Sequence, residues 1–225
     1  MGSYEIVKRR VRGKMGTVDC IMHRQKNGTG KLALVFPGFA YTCQMPLLYY
    51  SAVALRDNGY DVVMAETDYA GREDFQGLSA RERLELIRDD ARAVYSDAFS
   101  LMNYDRLILI GKSIGTIAIA SLLQDALEGR RLATVWLTPL LHNAEVIKAI
   151  RNSAVRGMLL AIGTKDSEYV KQTLDSIVVG PGSTVLEIEN ADHSLEIRGD
   201  MKASLTAMGQ LLDALGELAS GMGVE

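Results

Sequence analysis

The chain is expected to adopt an α/β fold, a mostly parallel central sheet with helices on both faces, and three observations predict it. Short apolar runs recur at Leu32–Phe36, Val62–Ala65, Leu107–Ile110, Ala133–Leu137, Met158–Ile162 and Val185–Ile188. Unbroken apolar runs of this length suit strands buried on both faces, as parallel strands are. The segments between them change period: Leu84, Ile87, Ala91, Val94, Ala98 and Leu101 step by three and four, which keeps one helix face apolar. Strand and helix then alternate towards the C-terminus, as a doubly wound sheet requires.

Each element follows in turn. Tyr4–Arg12 and Thr17–His23 flank a Gly13-Lys14-Met15-Gly16 turn, and Val18, Cys20 and Met22 alternate with their neighbours. That pattern predicts an antiparallel hairpin added at one edge of the sheet. A short helical segment is expected around Glu145–Arg151, and a C-terminal helix whose apolar stripe runs Leu205, Met208, Leu212, Leu215 and Ala219. No repeat or linker interrupts the sequence, and 225 residues suit one core. A single domain over residues 1–225 is therefore expected.

Bulk composition narrows the function classes. Hydrophobic residues make up 48% and charged residues 24%, with a net charge of −3, so no polyanion-binding surface is indicated. The basic run Lys8-Arg9-Arg10 with Arg12 reads as a solvated strand face. Cys20 and Cys43 stand in no metal-ligand spacing and suggest neither a disulfide framework nor a zinc site. No secretory signal and no membrane-spanning run is visible, and a cytoplasmic location is the expectation, with no membrane or nucleic-acid partner.

The strongest local signal is Gly111-Lys112-Ser113-Ile114-Gly115, directly after one apolar run and before a helical segment. G-x-S-x-G in that context is a sharp strand-to-helix turn that lifts the serine hydroxyl above the sheet edge. The glycines remove side chains that would clash there, and the helix N-terminus turns free N–H groups and positive dipole towards the reacting oxygen. The alternative is that Ser113 only caps a tight connection.

A serine nucleophile needs a base, and the chain has three histidines. His23 falls in the first hairpin, away from the strand ends where such sheets place their sites. His142 follows the strand ending at Thr138-Pro139, but no strand-end acid lies between it and Ser113. His193, in Asn190-Ala191-Asp192-His193-Ser194, follows the last strand and is the choice, leaving His142 as a loop histidine near the rim. Asp166, after Met158–Ile162 and Gly163, completes the order serine, acid, histidine. An aspartate there would fix the imidazole tautomer that accepts the serine proton; alternatively it caps a helix beginning near Ser167. The oxyanion would be met by the backbone N–H of Ile114 and by that of Phe39, or of Ala40, in Pro37-Gly38-Phe39-Ala40.

The Pro-Gly-Phe loop, Gly-Lys-Ser-Ile-Gly elbow, Gly-Thr-Lys-Asp turn and Ala-Asp-His-Ser segment together resemble the α/β-hydrolase superfamily along nearly the whole chain. Within it the chain is similar to small bacterial serine hydrolases of the carboxylesterase and dienelactone-hydrolase-like type. Two departures stand out. Pro37 replaces the histidine of a His-Gly oxyanion motif, and Ser113 stands where true dienelactone hydrolases carry cysteine, which argues against that reaction. Where many lipases insert a cap, only the Glu145–Arg151 segment is available, so no cap domain is expected.

The resemblance implies a serine hydrolase (Ser113, Asp166, His193; oxyanion donors Phe39 and Ile114) that cleaves a small ester or thioester through an acyl-enzyme, without cofactor or metal. The competing reading is a non-catalytic ligand-binding protein on the same fold. Tyr41, Met45, Tyr49, Tyr50, Tyr69 and Leu140 are each weighed as pocket lining against ordinary core or surface. Lys112 is expected to be solvated or salt-bridged, and Cys43 a packed thiol.

Overall fold

The computed structural model describes residues 3–125, 130–152, 155–177 and 180–222. Its strands are β1 (Tyr4–Arg12), β2 (Thr17–Gln25), β3 (Lys31–Phe36), β4 (Asp61–Ala65), β5 (Arg106–Lys112), β6 (Arg131–Leu137), β7 (Gly157–Gly163) and β8 (Thr184–Ile188). The helices are α1 (Pro46–Asp57), α2 (Glu73–Gly77), α3 (Ala80–Leu101), α4 (Gly115–Gln124), α5 (Ala144–Asn152), α6 (Lys171–Asp175) and α7 (Met201–Gly221). The eight strands form one sheet in the order β1-β2-β4-β3-β5-β6-β7-β8. β1 and β2 pair antiparallel, β2 joins β4 antiparallel, and every pair from β4 to β8 is parallel.

Strand alternation divides the core into two layers. Leu107 and Leu109 of β5 pack with Leu32, Leu34, Trp136 and Leu160 beneath α3, α4 and α5. Ile108 and Ile110 face the other way, with Ala33, Val35, Val135 and Leu159, beneath α1 and α7. Both faces of β3 to β7 are thus buried, which is why these strands read as unbroken apolar runs. β8 departs from that expectation. As an edge strand it has one neighbour, and four of its five residues keep some exposure.

α3 begins at a capping box in which Ser79 accepts from the Glu82 N–H and Glu82 accepts from the Ser79 N–H. Its buried face carries Ile87, Ala91, Val94 and Ala98, as the periodicity predicts, and also Asp90. α7 is displaced from its expected stripe. The side chains it buries are Ala207, Leu211, Leu215, Leu218 and Ala219, whereas Leu205 is 65% exposed. The helix is apolar over a wide arc, so period alone leaves the choice of stripe open, and packing against α1, β7 and β8 decides it.

Between β6 and β7, α5 is the sole regular element among the described residues, so no cap covers this edge of the sheet. Among them, no helix is long and apolar enough to cross a membrane.

Candidate active site

Ser113 follows β5 in a left-handed backbone conformation, φ 53°. Its N–H donates to the Leu137 carbonyl (3.0 Å), and its own carbonyl accepts from the Thr116 N–H (2.9 Å) and hydroxyl (2.5 Å). The turn is tight enough to require both glycines. A Cβ on Gly111 would stand 2.4 Å from the Gly115 carbonyl oxygen, and one on Gly115 would stand 2.4 Å from that of Phe36. The α4 N-terminus is thereby pressed between the ends of β3 and β5.

His193 and Asp166 meet across the next strand ends. His193 Nδ1 lies 2.8 Å and 2.9 Å from the two carboxylate oxygens of Asp166. The acid's side chain is fully buried, while the imidazole is 38% exposed. Gly163 makes this approach possible, because a Cβ there would lie 2.1 Å from the Ala191 carbonyl oxygen. Asp192, beside the histidine, turns away and accepts from the N–H groups of Ser194 (2.8 Å) and Glu196 (3.3 Å), bracing the loop. Asp166 Oδ1 also accepts from the Glu168 N–H (2.9 Å), whereas α6 starts only at Lys171. The aspartate therefore does more than cap a helix.

The four non-glycine residues with positive φ among the described ones are Ser113, Thr138, Asn190 and Leu195. All four lie just beyond the C-terminal ends of β5, β6 and β8, around the serine and the histidine. Left-handed conformations are costly for side-chain-bearing residues, most of all for a β-branched one such as Thr138, and they concentrate where a fold serves a site.

The loop after β3 forms another wall. A Cβ on Gly38 would lie 3.6 Å from both Ser113 Cβ and the Lys112 carbonyl oxygen, and the Gly38 N–H donates to Tyr41 O (2.9 Å). Among the described residues no hydrogen bond takes up the N–H of Phe39 or of Ile114, and none joins Ser113 Oγ to the imidazole. The Phe39 carbonyl accepts from the Ala70 N–H (3.0 Å), and its ring packs on Phe75, which packs on Tyr69. The Tyr69 hydroxyl donates to buried Asp90 (3.0 Å). Burial raises the Asp90 carboxyl to about 6 against the opposing pull of Tyr69 and Arg72. Sequence reasoning missed Asp90, although a carboxylate interrupting the apolar stripe of α3 was a visible signal.

The other expectations have mixed outcomes. His142 is an exposed residue of the β6–α5 loop, and His23 pairs with Val62 at the opposite end of the sheet. Cys43 is fully buried, its Sγ donating to Ala65 O (3.3 Å), and burial pushes its thiol well above the ordinary value. Tyr41 and Tyr69 are core residues, while Met45, Tyr49 and Tyr50 are exposed. Lys112 requires correction. It is only 1% exposed, has no ion-pair partner among the described residues, and holds Nζ 4.5 Å from the Tyr41 ring centroid. Among the described residues, no group of three or more His, Cys, Asp or Glu side chains is arranged to hold a metal ion.

The fold is that of the α/β hydrolases. No protein-family model matches the chain, and no curated protein matches it by sequence; the likeness lies among solved structures. An α/β serine hydrolase homologue from Coxiella burnetii is 16% identical with a TM-score of 0.67, over 93% of this chain and 95% of that one. A lidless serine hydrolase from Xanthomonas campestris is 18% identical with a TM-score of 0.65, over 93% of each chain. An esterase from Pyrococcus furiosus is 14% identical with a TM-score of 0.65, over 93% of this chain and 91% of that one.

Proposed function

We propose that the protein is a serine hydrolase that cleaves small carboxylic esters or thioesters through an acyl-enzyme. One observation carries the reading: a buried Asp166 holds Nδ1 of a half-open His193 with both oxygens, on the same sheet edge as Ser113 in its strained turn. With Nδ1–H bound to the carboxylate, Nε2 is left as the acceptor. Ser113 Oγ attacks the carbonyl carbon and gives its proton to Nε2. The oxyanion that forms is met by the N–H groups of Phe39 and Ile114. Collapse expels the alcohol or thiol, which takes the proton back from Nε2, and water repeats the cycle on the acyl-serine. The serine–imidazole hydrogen bond of such sites often closes only when substrate is bound.

That no cap lies above the strand ends among the described residues supports small, soluble substrates. The similar fold of proteins described as an esterase and as serine hydrolases supports the reaction class. Treatment with a fluorophosphonate followed by intact-mass and peptide analysis tests the reading. A single phosphonyl adduct on Ser113, lost in Ser113→Ala and suppressed in His193→Ala, is expected. An unmodified Ser113 in folded protein would mean that the serine is not activated and would favour a ligand-binding role.

A further inference from the structure

A carboxylate interrupts the buried stripe of α3, and its contacts lead to the loop beside Ser113. Asp90 is 3% exposed, on the same face as Ile87, Ala91 and Val94. Its Oδ2 accepts from the Tyr69 hydroxyl (3.0 Å) and from Arg72 Nη1 (3.4 Å), whereas Oδ1 takes no hydrogen bond among the described residues. A carboxylate satisfied on one oxygen alone is costly to bury. Leucine would continue the stripe without that cost. What the carboxylate secures is Tyr69, the residue before Ala70. The Ala70 N–H donates to the Phe39 carbonyl (3.0 Å), and the Ala70 carbonyl accepts from Gln76 Nε2 (2.6 Å). The rings run parallel to this route. Tyr69 packs on Phe75 at 4.8 Å between centroids, and Phe75 on Phe39 at 6.1 Å.

We propose that Asp90 is a positioning residue of the Phe39 loop, acting through Tyr69 and the Ala70 N–H to fix the Phe39 peptide beside Ser113. Its consequence for catalysis rests on reading the Phe39 N–H as an oxyanion donor. Such a donor stabilises developing charge only if it is held in place beforehand. Phe39 is 42% exposed, so packing alone supports it on one side, and the bond from Ala70 fixes its carbonyl. Burial raises the Asp90 carboxyl to about 6, against the opposing pull of Tyr69 and Arg72 and with a smaller push from Asp89 and Asp74. At pH 7 it is therefore largely ionised, but the hold on Tyr69 needs an acceptor oxygen rather than a charge.

Amide hydrogen exchange followed by NMR at pH 7 reads the brace without turnover. Tyr69→Phe keeps the ring stack and removes the hydroxyl, and Asp90→Leu removes the acceptor. Asp90→Asn discards the charge and keeps an oxygen for Tyr69. Relative to amides of β3 and β5, Ala70 should lose about tenfold or more of its protection in Tyr69→Phe and Asp90→Leu. Asp90→Asn should keep most of it. A purely structural role would lower all these amides together. On a short p-nitrophenyl ester, kcat should fall about tenfold in the two disrupting variants with KM little changed, and recover in Asp90→Asn. Unchanged relative protection of Ala70 in folded Tyr69→Phe would overturn the proposal, and so would an unchanged kcat despite lost protection. Tyr69→Phe decides the matter if Asp90→Leu fails to fold. A parent Ser113 that takes no fluorophosphonate would sink the hydrolase reading alone, and the exchange result would still decide the brace.

Discussion

A buried charge leaves a thermodynamic trace that a packing residue does not. Lys112 has a folded-state pKa of about 8 against an ordinary 10.5, so the native state releases that proton first. Below about pH 8 both states carry the charge and the native state bears the full cost of burying it. Between about 8 and 10.5 the unfolded chain binds more protons than the native one, and stability gains from this residue as pH rises. Lys112→Met should therefore be more stable than the parent at pH 7, by up to about 3 kcal/mol. The gap should narrow by pH 10.5, as read by urea denaturation at each pH; a gap that stays constant would argue against a charge penalty. The sequence did contain the position's direction, because β5 alternates and Lys112 is in phase with two core isoleucines. What it lacked was how far the strand's buried zone extends, which depends on the loops after β3 and β7 closing over its end. The contact between Asp166 and His193 was legible by contrast, since each residue follows a strand and their chain order matches the geometry of the pair.

At the scale of elements, the site depends on how closely two strand-end segments approach. β7 delivers Asp166 and the segment after β8 delivers His193, and Gly163 lies where the two backbones nearly touch. An added methyl at Gly163 has backbone rather than a flexible side chain to displace, so the His193 loop must move. Gly163→Ala is expected to lose on the order of a hundredfold in ester hydrolysis, because small displacements of reacting groups are costly. Overpacking should destabilise the fold by about 1–3 kcal/mol. Steady-state kinetics and thermal unfolding would check both, and a variant within a few-fold of the parent would show that the two loops are not rigidly coupled. Strands β3 to β7 were readable because burial on both faces writes itself as an apolar run. The choice of face on α7 was not, because Leu205 and Leu211 are equally apolar and only the packed partner distinguishes them. The same holds for Phe39, whose ring packs against Phe75 and clamps the loop, while its backbone N–H is the proposed oxyanion donor.

For the molecule as a whole, the two core layers lie on either face of the sheet and the candidate site occupies one open edge. With no cap among the described residues, an acyl chain has little apolar wall to enter. A methylene is worth about 0.8 kcal/mol only when it is enclosed. Relative kcat/KM for p-nitrophenyl esters should therefore peak between acetate and butyrate and be flat or falling by octanoate. A steady rise through decanoate, measured below the micelle concentration, would reveal an acyl groove.

The bare connection between β6 and α5 also sets how readily this scaffold could acquire new selectivity. Residues 138–143 leave the sheet beside Ser113, and exposed His142 lies among them. A segment grafted there would lengthen a surface loop, and the entropy of closing a loop grows only with the logarithm of its length, about 0.6 kcal/mol per doubling. Neither core layer would need to be rebuilt to accommodate it. The framework can thus take on a roof as an appendage, with substrate range open to change at little expense to folding.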